Sequence, residues 1–409
     1  MTHLRTNGRA VSRRAFMARC ATGMAGLRAL PALAQLRDSS ALRVTKVEPY
    51  LLRIGERTTY PLVRIETAEG IHGWGEGTTP PSNPAVLAQI RECGKVVINQ
   101  SAWDTEKLWR RMYLIEENTL GGTLFAAMSA IDIALWDIVG RKLNVPVYQL
   151  LGGKAHDKLR IYASYRWGNI PRTREAYARR TKELMAEGAT AGKFDPFGAY
   201  PGFDRQLSTP VLNEVREMIH GIREGGPNFD ICVECHGKFN AATAGRIIKM
   251  LEPFDPFFVE EPVPPENVDA MAAVQRSTNI PIATGEGLQS HFNYYSLLEK
   301  QAARIIQPDV SRTGGITAMK KIVAMADAHF VTFAPHSPNG PVCTAASMHV
   351  AASSPNFLIL EEGNKDTKDY NDIFAGGWKQ NLAEWTIPEA PGLGVDFSPQ
   401  FLKERTVKI

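Results

Sequence analysis

The sequence has few cysteines and no long apolar run after its N-terminus. Five cysteines in 409 residues, with Cys20 in an N-terminal segment of unusual composition, do not make a disulfide-stapled scaffold. No stretch of about eighteen or more apolar residues follows that segment, so no membrane span is expected. The hydrophobic fraction of 44% and the charged fraction of 22% are ordinary for a globular protein. The length predicts two or more domains, or one large barrel with an additional domain.

Acidic residues are absent from positions 1–34, which contain six arginines. Two adjacent arginines, Arg13 and Arg14, precede a mildly apolar stretch that ends in an A-x-A-like cleavage site at 32–34. The pattern is typical of a bacterial twin-arginine signal, and the alternative is a basic N-terminal tail. We assign residues 1–38 to a signal and linker, and we expect a periplasmic location, or a cytoplasmic one if the segment is not a signal.

The net charge of the chain depends on this segment. Removing its six arginines changes the formal charge from +4 to −2, so the basic character of the whole sequence belongs to the signal. Because no basic patch remains, no nucleic-acid partner is expected.

Residues 39–155 predict a small α+β domain, with strands first and helices after. Strand-like patterns occupy 42–54, 60–70 and 71–79. Helical patterns follow at 84–98, 103–117 and 123–142, and the last of these is apolar on most faces.

From Lys158 onward, short apolar strands alternate with helical segments. Eight strands are predicted, at 158–164, 190–197, 230–237, 256–262, 281–287, 304–310, 329–337 and 356–362. Eight strands with helices between them predict a parallel barrel of the (β/α)₈ type. A doubly wound sheet is the alternative, but its Gly-rich phosphate-binding sequence is missing after the first strand.

Three glutamates occupy equivalent positions in successive predicted strands. Glu234, Glu260 and Glu286 are each 26 residues apart, about one βα unit, and each ends a strand. In a barrel those ends meet at the mouth where barrel enzymes carry out their chemistry. Three adjacent carboxylates would repel one another unless a hard cation lay between them, and oxygen ligands suit Mg²⁺. The alternative is three separately solvated surface acids.

The first of these glutamates lies inside a C-x-x-C-H sequence, Cys232 to His236, which resembles a haem-attachment or zinc-binding signature. Strand alternation argues against both, because Cys232, Glu234 and His236 should face one side and Cys235 the other. The two cysteines are therefore predicted to be packing residues. His236 should lie at the barrel mouth beside the cation.

Polar residues also end the remaining strands. Asp309 ends the sixth strand and His336 the seventh, and an aspartate beside a histidine makes a general base. Glu361 ends the eighth strand, while Lys193 and Asp195 end the second and should face inward.

These residues resemble the enolase superfamily, specifically the mandelate racemase-like acid-sugar dehydratases of the galactonate dehydratase type. The resemblance covers essentially all of residues 42–400. It rests on "AIDIALWDIVGRKLNVPVYQLLGG", "FVEEPVPPEN", "PIATGEGL", "IIQPDVSRTGGI", "APHSPNGP" and "PGLGV". It implies an α/β fold, a modified TIM barrel (β/α)₇β over 156–363. The N-terminal α+β capping domain would comprise 39–155 together with the C-terminal segment 364–409.

The resemblance also implies site roles. Glu234, Glu260 and Glu286 match the ligands of one Mg²⁺ per subunit, and Asp309 with His336 matches the base dyad. The other implied groups are His236, which protonates the leaving hydroxyl, and Glu361, which hydrogen-bonds the substrate carboxylate or enolate.

Two departures from the family pattern concern the first ligand and the second strand. The first ligand is usually aspartate, but here it is Glu234. The racemase-type Lys-x-Lys is here Lys193-Phe194-Asp195, which argues against a two-base racemase. Lys193 is expected to neutralise the substrate carboxylate or the metal cluster, or to form a plain ion pair with a ligand.

The expected substrate is a small sugar acid, dehydrated to a 2-keto-3-deoxy acid by a homo-oligomeric enzyme with no membrane partner. Candidate substrate-binding residues are Asp195, Arg166, Trp167 and Tyr60, the last within a predicted lid segment at 55–61. Two alternatives stay open: a cycloisomerase acting on an anhydro-sugar acid, and a non-catalytic binding protein on the same scaffold.

Overall fold

The computed structural model describes residues 42–408 except 56–57, 116–120, 200, 364, 366 and 379. The predicted twin-arginine segment lies outside the described residues. The N-terminal part forms an antiparallel sheet of three strands, β1 (Val44–Ile54), β2 (Thr58–Thr67) and β3 (His72–Glu76). Four helices follow it: α1 (Asn83–Val97), α2 (Thr105–Tyr113), α3 (Gly122–Leu143) and α4 (Val147–Leu150). Strands first and helices after is the order that the sequence predicted.

Glycines allow β3 to lie directly against α3. A Cβ added to Gly75 would lie 1.7 Å from the carbonyl oxygen of Ala130, and one added to Gly73 or Gly77 would lie 2.3 or 2.1 Å from a carbonyl oxygen of the same helix. Two residues of a strand rise about 6.7 Å and four of a helix about 6 Å, so the contact repeats along both elements.

The close contact with β3 contributes to the burial of α3. By length and composition alone this helix could cross a membrane, but 83% of its most apolar window is buried inside the protein. The helix therefore serves as the core of the capping domain, and it ends at Asn144 in the left-handed conformation.

The central part of the chain is a closed parallel barrel. Its strands are β4 (Lys158–Tyr162), β5 (Ala191–Phe194), β6 (Asp230–Glu234), β7 (Phe258–Glu260), β8 (Ile282–Thr284), β9 (Ile305–Ile306), β10 (Thr332–Phe333) and β11 (Leu360–Glu361). The helices between them are α5 (Arg174–Ala186), α6 (Thr209–Gly225), α7 (Ala241–Leu251), α8 (Val268–Arg276), α9 (Ser290–Glu299), α10 (Gly315–Ala328) and α11 (Pro341–Ala352). Strands β5 to β10 form one sheet, and the bridges Ala163–Gly192 and Phe333–Phe357 join it to β4 and β11. In the described part of the chain, eight strands with seven helices between them confirm the predicted (β/α)₇β barrel.

The barrel interior contains one apolar layer with a residue from each strand or its immediate flank. Its members are Tyr162, Ala191, Cys232, Phe258, Ala283, Ile305, Ala334 and Ile359. Cys235 instead packs in the outer core with the helices. The two cysteines of the C-x-x-C-H sequence therefore lie on opposite sides of β6, as strand alternation predicted, and neither a haem nor a zinc site forms.

The C-terminal segment contacts both the capping sheet and the barrel. It contains α12 (Thr367–Ile373), β12 (Glu384–Thr386) and α13 (Pro399–Arg405), and β12 pairs antiparallel with β4. Buried Asp137 of α3 accepts hydrogen bonds from the backbone of Leu393 (2.8 Å) and Trp74 (3.0 Å). These contacts agree with grouping the segment with the cap, while the domain boundaries remain predictions.

Candidate active site

The three predicted metal ligands lie together at the carboxyl ends of β6, β7 and β8. One carboxylate oxygen from each of Glu234, Glu260 and Glu286 lies within 4.8 Å of the others. Parallel register places Glu234 directly beside Glu260, which explains why both side chains enter the barrel. Glu286 follows two residues after the end of β8.

Lys193, on neighbouring β5, lies among these carboxylates. Its Nζ lies 3.0 Å from both oxygens of Glu260, 3.2 Å from Glu234 Oε2 and 3.3 Å from Glu361 Oε1. Burial opposes the charge of Lys193, but Glu260 and Glu361 raise its pKa well above the ordinary value. The ion-pair interpretation of Lys193 therefore has direct geometric support.

One lysine does not balance this negative charge. Burial raises the pKa of Glu234 to about 7; Lys193 opposes that rise and Glu286 adds to it. Burial, followed by the Glu234 charge, raises the pKa of Glu260 well above its usual range. Within the described residues, buried Glu234 Oε2 has the Lys193 ion pair at 3.2 Å but no hydrogen bond. A set of three carboxylates that share one lysine fits a hard divalent cation.

His336 and Asp309 form the predicted dyad. His336 Nδ1 lies 2.8 Å from Asp309 Oδ2, and both side chains are buried. An ionised carboxylate only accepts hydrogen bonds, so Nδ1 carries a proton and Nε2 points toward the site. His336 Nε2 lies 2.8 Å from Glu286 Oε2; burial lowers the pKa of His336, but Glu286 and Glu361 raise it to about 10.

Asp309 is held rigidly from the opposite side. Ser311 donates to it from its backbone N (2.8 Å) and its Oγ (2.6 Å), and Asn339 Nδ2 donates to both carboxylate oxygens (2.9 and 2.8 Å). Neither supporting residue was predicted from sequence, because their alignment depends on the loops after β9 and β10.

His236 has a carboxylate partner that the sequence analysis did not assign to it. His236 Nδ1 lies 2.7 Å from Asp195 Oδ2, and buried Lys238 also donates to that oxygen. Asp195, a predicted substrate-binding residue, pairs with His236 and also lines the cleft. Asp309 and His336 were paired because they end neighbouring strands. The same reasoning predicts the pair of Asp195 and His236, because β5 and β6 are also neighbours. Lys238 follows two residues with a left-handed backbone, His236 and Gly237, so strand alternation does not place it.

Glu361 completes the ring of acids. It accepts hydrogen bonds from Ser164 Oγ (2.9 Å) and Ser337 N (3.0 Å), and its side chain is fully buried. Burial favours the neutral acid, but Lys193 and His336 lower the pKa of Glu361 below its ordinary value. As an ionised acceptor Glu361 holds Lys193 in place.

The site opens into a cleft with two lobes. The barrel lobe has a volume of about 380 Å³. It is lined by the polar side chains of Lys193, Asp195, Glu234 and His236 and by the aromatic side chains of Trp167, Tyr177 and Phe194. The cap lobe, about 460 Å³, is lined by Tyr60, Thr78, Pro80, Arg312, Pro338, Asn339 and Gly363. Four residues line both lobes: Tyr165, His236, Glu286 and His336.

The remaining predicted substrate-binding residues have different environments. Tyr60 lines the cap lobe. Trp167 lines the barrel lobe, but it is nearly buried and its Nε1 donates to the backbone oxygen of Lys193 (2.8 Å). Arg166 donates two hydrogen bonds to Glu362 (3.1 and 2.5 Å) and lines neither lobe. Its observed contact joins the loops that follow β4 and β11.

Glu76, at the end of β3, connects the cap to the loop that carries His336 and Asn339. Its carboxylate accepts hydrogen bonds from the backbone N–H groups of Gly340 (2.7 Å) and Cys343 (3.1 Å), at the N-terminus of α11. Ser311 Oγ also approaches the backbone oxygen of Thr78 at 3.0 Å. The cap therefore supports the two segments that hold Asp309.

Comparison with known families agrees with this architecture. A model described as "Enolase C-terminal domain-like" matches residues 176–401, and one described as "Mandelate racemase / muconate lactonizing enzyme, N-terminal domain" matches residues 42–152. The chain belongs to the enolase superfamily. This assignment confirms the resemblance drawn from the sequence motifs.

Named relatives of this superfamily chain include dehydratases. D-galactonate dehydratase of Ralstonia pickettii is 35% identical over 377 residues, which cover 87% of this chain and 94% of that protein. D-xylonate dehydratase of Haloferax volcanii is 34% identical over 353 residues, covering 82% of this chain and 83% of that protein. The chain is thus galactonate dehydratase-like, that is, similar to a hydro-lyase, over most of its length.

Solved structures share the fold. A mandelate racemase/muconate lactonizing enzyme-like protein from Roseovarius sp. TM1035 superimposes with a TM-score of 0.83 at 32% identity, covering 89% of this chain and 95% of that one. A mandelate racemase/muconate lactonizing enzyme from Jannaschia sp. CCS1 gives 0.82 at 30% identity, covering 90% and 98%.

Proposed function

We propose that this enolase-superfamily enzyme is a Mg²⁺-dependent acid-sugar dehydratase that converts a sugar acid to a 2-keto-3-deoxy acid. One observation carries the proposal: two histidines, each supported by an aspartate, flank a cluster of three carboxylates in one cleft. The dehydratase names of the relatives support the same class of reaction.

The cluster of Glu234, Glu260 and Glu286 would hold the cation. When bound, Mg²⁺ supplies positive charge to the substrate carboxylate as that group gains negative charge. The chain itself would place Lys193 beside the same carboxylate, which is consistent with its position among the buried acids.

The two histidines would move the protons. His336 Nε2 removes the proton α to the carboxylate, while Asp309 keeps the other ring nitrogen protonated. The electron pair left on the α-carbon expels the β-hydroxyl, and His236 donates the proton with which it leaves as water. The enol product then takes up a proton at C3 and becomes the ketone. Each general acid–base step of this kind contributes roughly 10²–10⁴-fold to the rate.

A screen of aldonic, uronic and aldaric acids with Mg²⁺ tests the proposal. We expect at least one acid to yield a product that reacts with semicarbazide and has lost one molecule of water. A keto product without loss of water would instead indicate the cycloisomerase. Binding of an acid without any turnover would indicate the non-catalytic scaffold.

We further propose that the enzyme is exported through the twin-arginine route, because Arg13 and Arg14 precede a mildly apolar stretch and a cleavage-like site. Changing both to lysine should leave uncleaved precursor in the cytoplasm, as measured by fractionation and N-terminal sequencing. The same change at Arg5 and Arg9 is the matched control and should not alter export. Identical fractionation of both variants, with an uncleaved N-terminus, would refute the proposal.

A further inference from the structure

Arg312, in the turn between β9 and α10, is a mostly buried arginine with few partners. Its closest polar contacts are long: Nε lies 3.4 Å from Asp309 Oδ2, and one terminal nitrogen lies 3.4 Å from the backbone oxygen and 3.7 Å from Oε1 of Glu286. Its Nε is buried without a hydrogen bond among the described residues. A guanidinium has five donors, and buried donors normally find acceptors.

Arg141 is an example of a guanidinium in this protein whose donors have acceptors at ordinary hydrogen-bond distances. Arg141 binds Asp137 (3.0 Å), Asp396 (3.0 Å) and the backbone oxygen of Val395 (2.6 Å). Arg312 therefore has unused donor capacity, and its side chain borders the cap lobe.

Two polar neighbours of Arg312 in the cap lobe already donate to other groups. Asn339 Nδ2 is committed to Asp309 and Ser311, and Thr78 Oγ1 donates to Glu76 at 2.6 Å. Of the described residues that line this lobe, Arg312 is the one lysine or arginine.

The two lobes thus present cations at separate places. Lys193 lines the barrel lobe with the carboxylate cluster, and Arg312 lines the cap lobe, with the two histidines shared between them. A substrate that places its reacting carboxylate near Lys193 and its α- and β-carbons between the histidines would extend its far end toward Arg312. A planar guanidinium fork matches a carboxylate better than it matches a hydroxyl group.

We propose that Arg312 binds a second carboxylate at the far end of the substrate, and that the enzyme prefers aldaric acids to the corresponding aldonic acids. This inference rests on the proposed dehydratase function and deepens it. Arg312 is a specificity-determining residue, whereas the proton transfers belong to the two histidines.

Matched substrate pairs test this assignment. Galactarate and galactonate, and likewise glucarate and gluconate or xylarate and xylonate, differ only at the terminal carbon. For the pair with the configuration that the enzyme accepts, we expect kcat/KM of the Mg²⁺-loaded wild type to be about tenfold or more higher for the dicarboxylate. Arg312→Gln should lower that value about 10²-fold, mainly through KM, and should lower the aldarate-to-aldonate ratio of kcat/KM about tenfold or more.

Two further variants separate recognition from support of the fold. Arg312→Lys keeps the charge without the fork and should lose about tenfold on the aldarate alone. Arg246→Gln is the matched control, since Arg246 donates to the backbone of Leu207 outside the cleft and should leave the substrate ratio unchanged.

Three outcomes would overturn the assignment. Equal losses on both members of a pair would mean that Arg312 only supports Asp309. A wild-type preference for the aldonate, or for a 6-phosphoaldonate over the aldarate, would exclude a carboxylate partner while leaving the dehydratase proposal intact. Failure to convert any acid, with the protein folded and metal-loaded, would remove the proposed function and this inference with it.

Discussion

His336→Asn is expected to abolish both exchange of the substrate α-proton and dehydration, whereas His236→Asn should abolish dehydration alone. The difference follows from position. Asp309 holds Nδ1 of His336 and directs Nε2 into the site, where it lies 2.8 Å from Glu286 Oε2, and His336 is the proposed base. His236 lies beside Glu234, paired with Asp195, and is the proposed acid on the leaving hydroxyl.

The two steps can be measured separately in D₂O, with exchange followed by NMR and keto acid by semicarbazide. Each variant should lose about 10²-fold or more in dehydration if each histidine is a true acid–base group. Both C2 epimers should be used, because a histidine acting as a base on the opposite face would affect one epimer only. His220→Asn, on the outer helix α6, is the control.

Normal exchange in His336→Asn together with lost exchange in His236→Asn would reverse the roles. In that case the assignment taken from the family resemblance would fail at this site.

Glu260→Gln is expected to lower turnover by about 10²-fold or more and to weaken binding of the divalent cation. Glu260 is fully buried at the centre of the cluster, where it contacts Lys193 at 3.0 Å and Gln307 Nε2 at 2.7 Å. Neutralising it removes a ligand charge while leaving a side chain of nearly the same shape.

EDTA should abolish turnover of the wild type, and Mg²⁺ should restore it. Metal content, measured by elemental analysis after dialysis, should be about one ion per subunit in the wild type and clearly less in Glu260→Gln. Glu389→Gln, at an exposed ion pair with Lys154, is the control and should match the wild type. Full activity in Glu260→Gln, with metal still bound, would refute this ligand assignment.

The sequence predicted the barrel well because its signals are periodic. Each βα unit repeats an apolar strand followed by a polar residue, so the positions of Glu234, Glu260 and Glu286 could be placed before the fold was known. The observed strands are shorter than predicted: β9 and β10 contain two residues each. Of the extra apolar residues, Val310, Val331 and Ala334 are buried, whereas Phe330 is exposed.

Contacts made by residues in loops could not be predicted from the periodicity of the sequence. His236 lies beyond the end of β6 with a left-handed backbone (φ 49°), so strand alternation alone could not orient its side chain. The pairing of Arg166 with Glu362 and the support of Asp309 by Asn339 each join loops that follow different strands. Such contacts are set by the path of each loop, which no residue spacing encodes.

The central claim is that one cleft removes an α-proton and expels a β-hydroxyl. Mass and NMR analysis of the product formed in D₂O with Mg²⁺ tests it most directly. The account predicts a 2-keto acid that has lost one water and carries one solvent deuterium at C3. A product with the elemental composition of the substrate would contradict it: a non-keto product labelled at C2 would indicate racemisation, and a keto product would indicate cycloisomerisation.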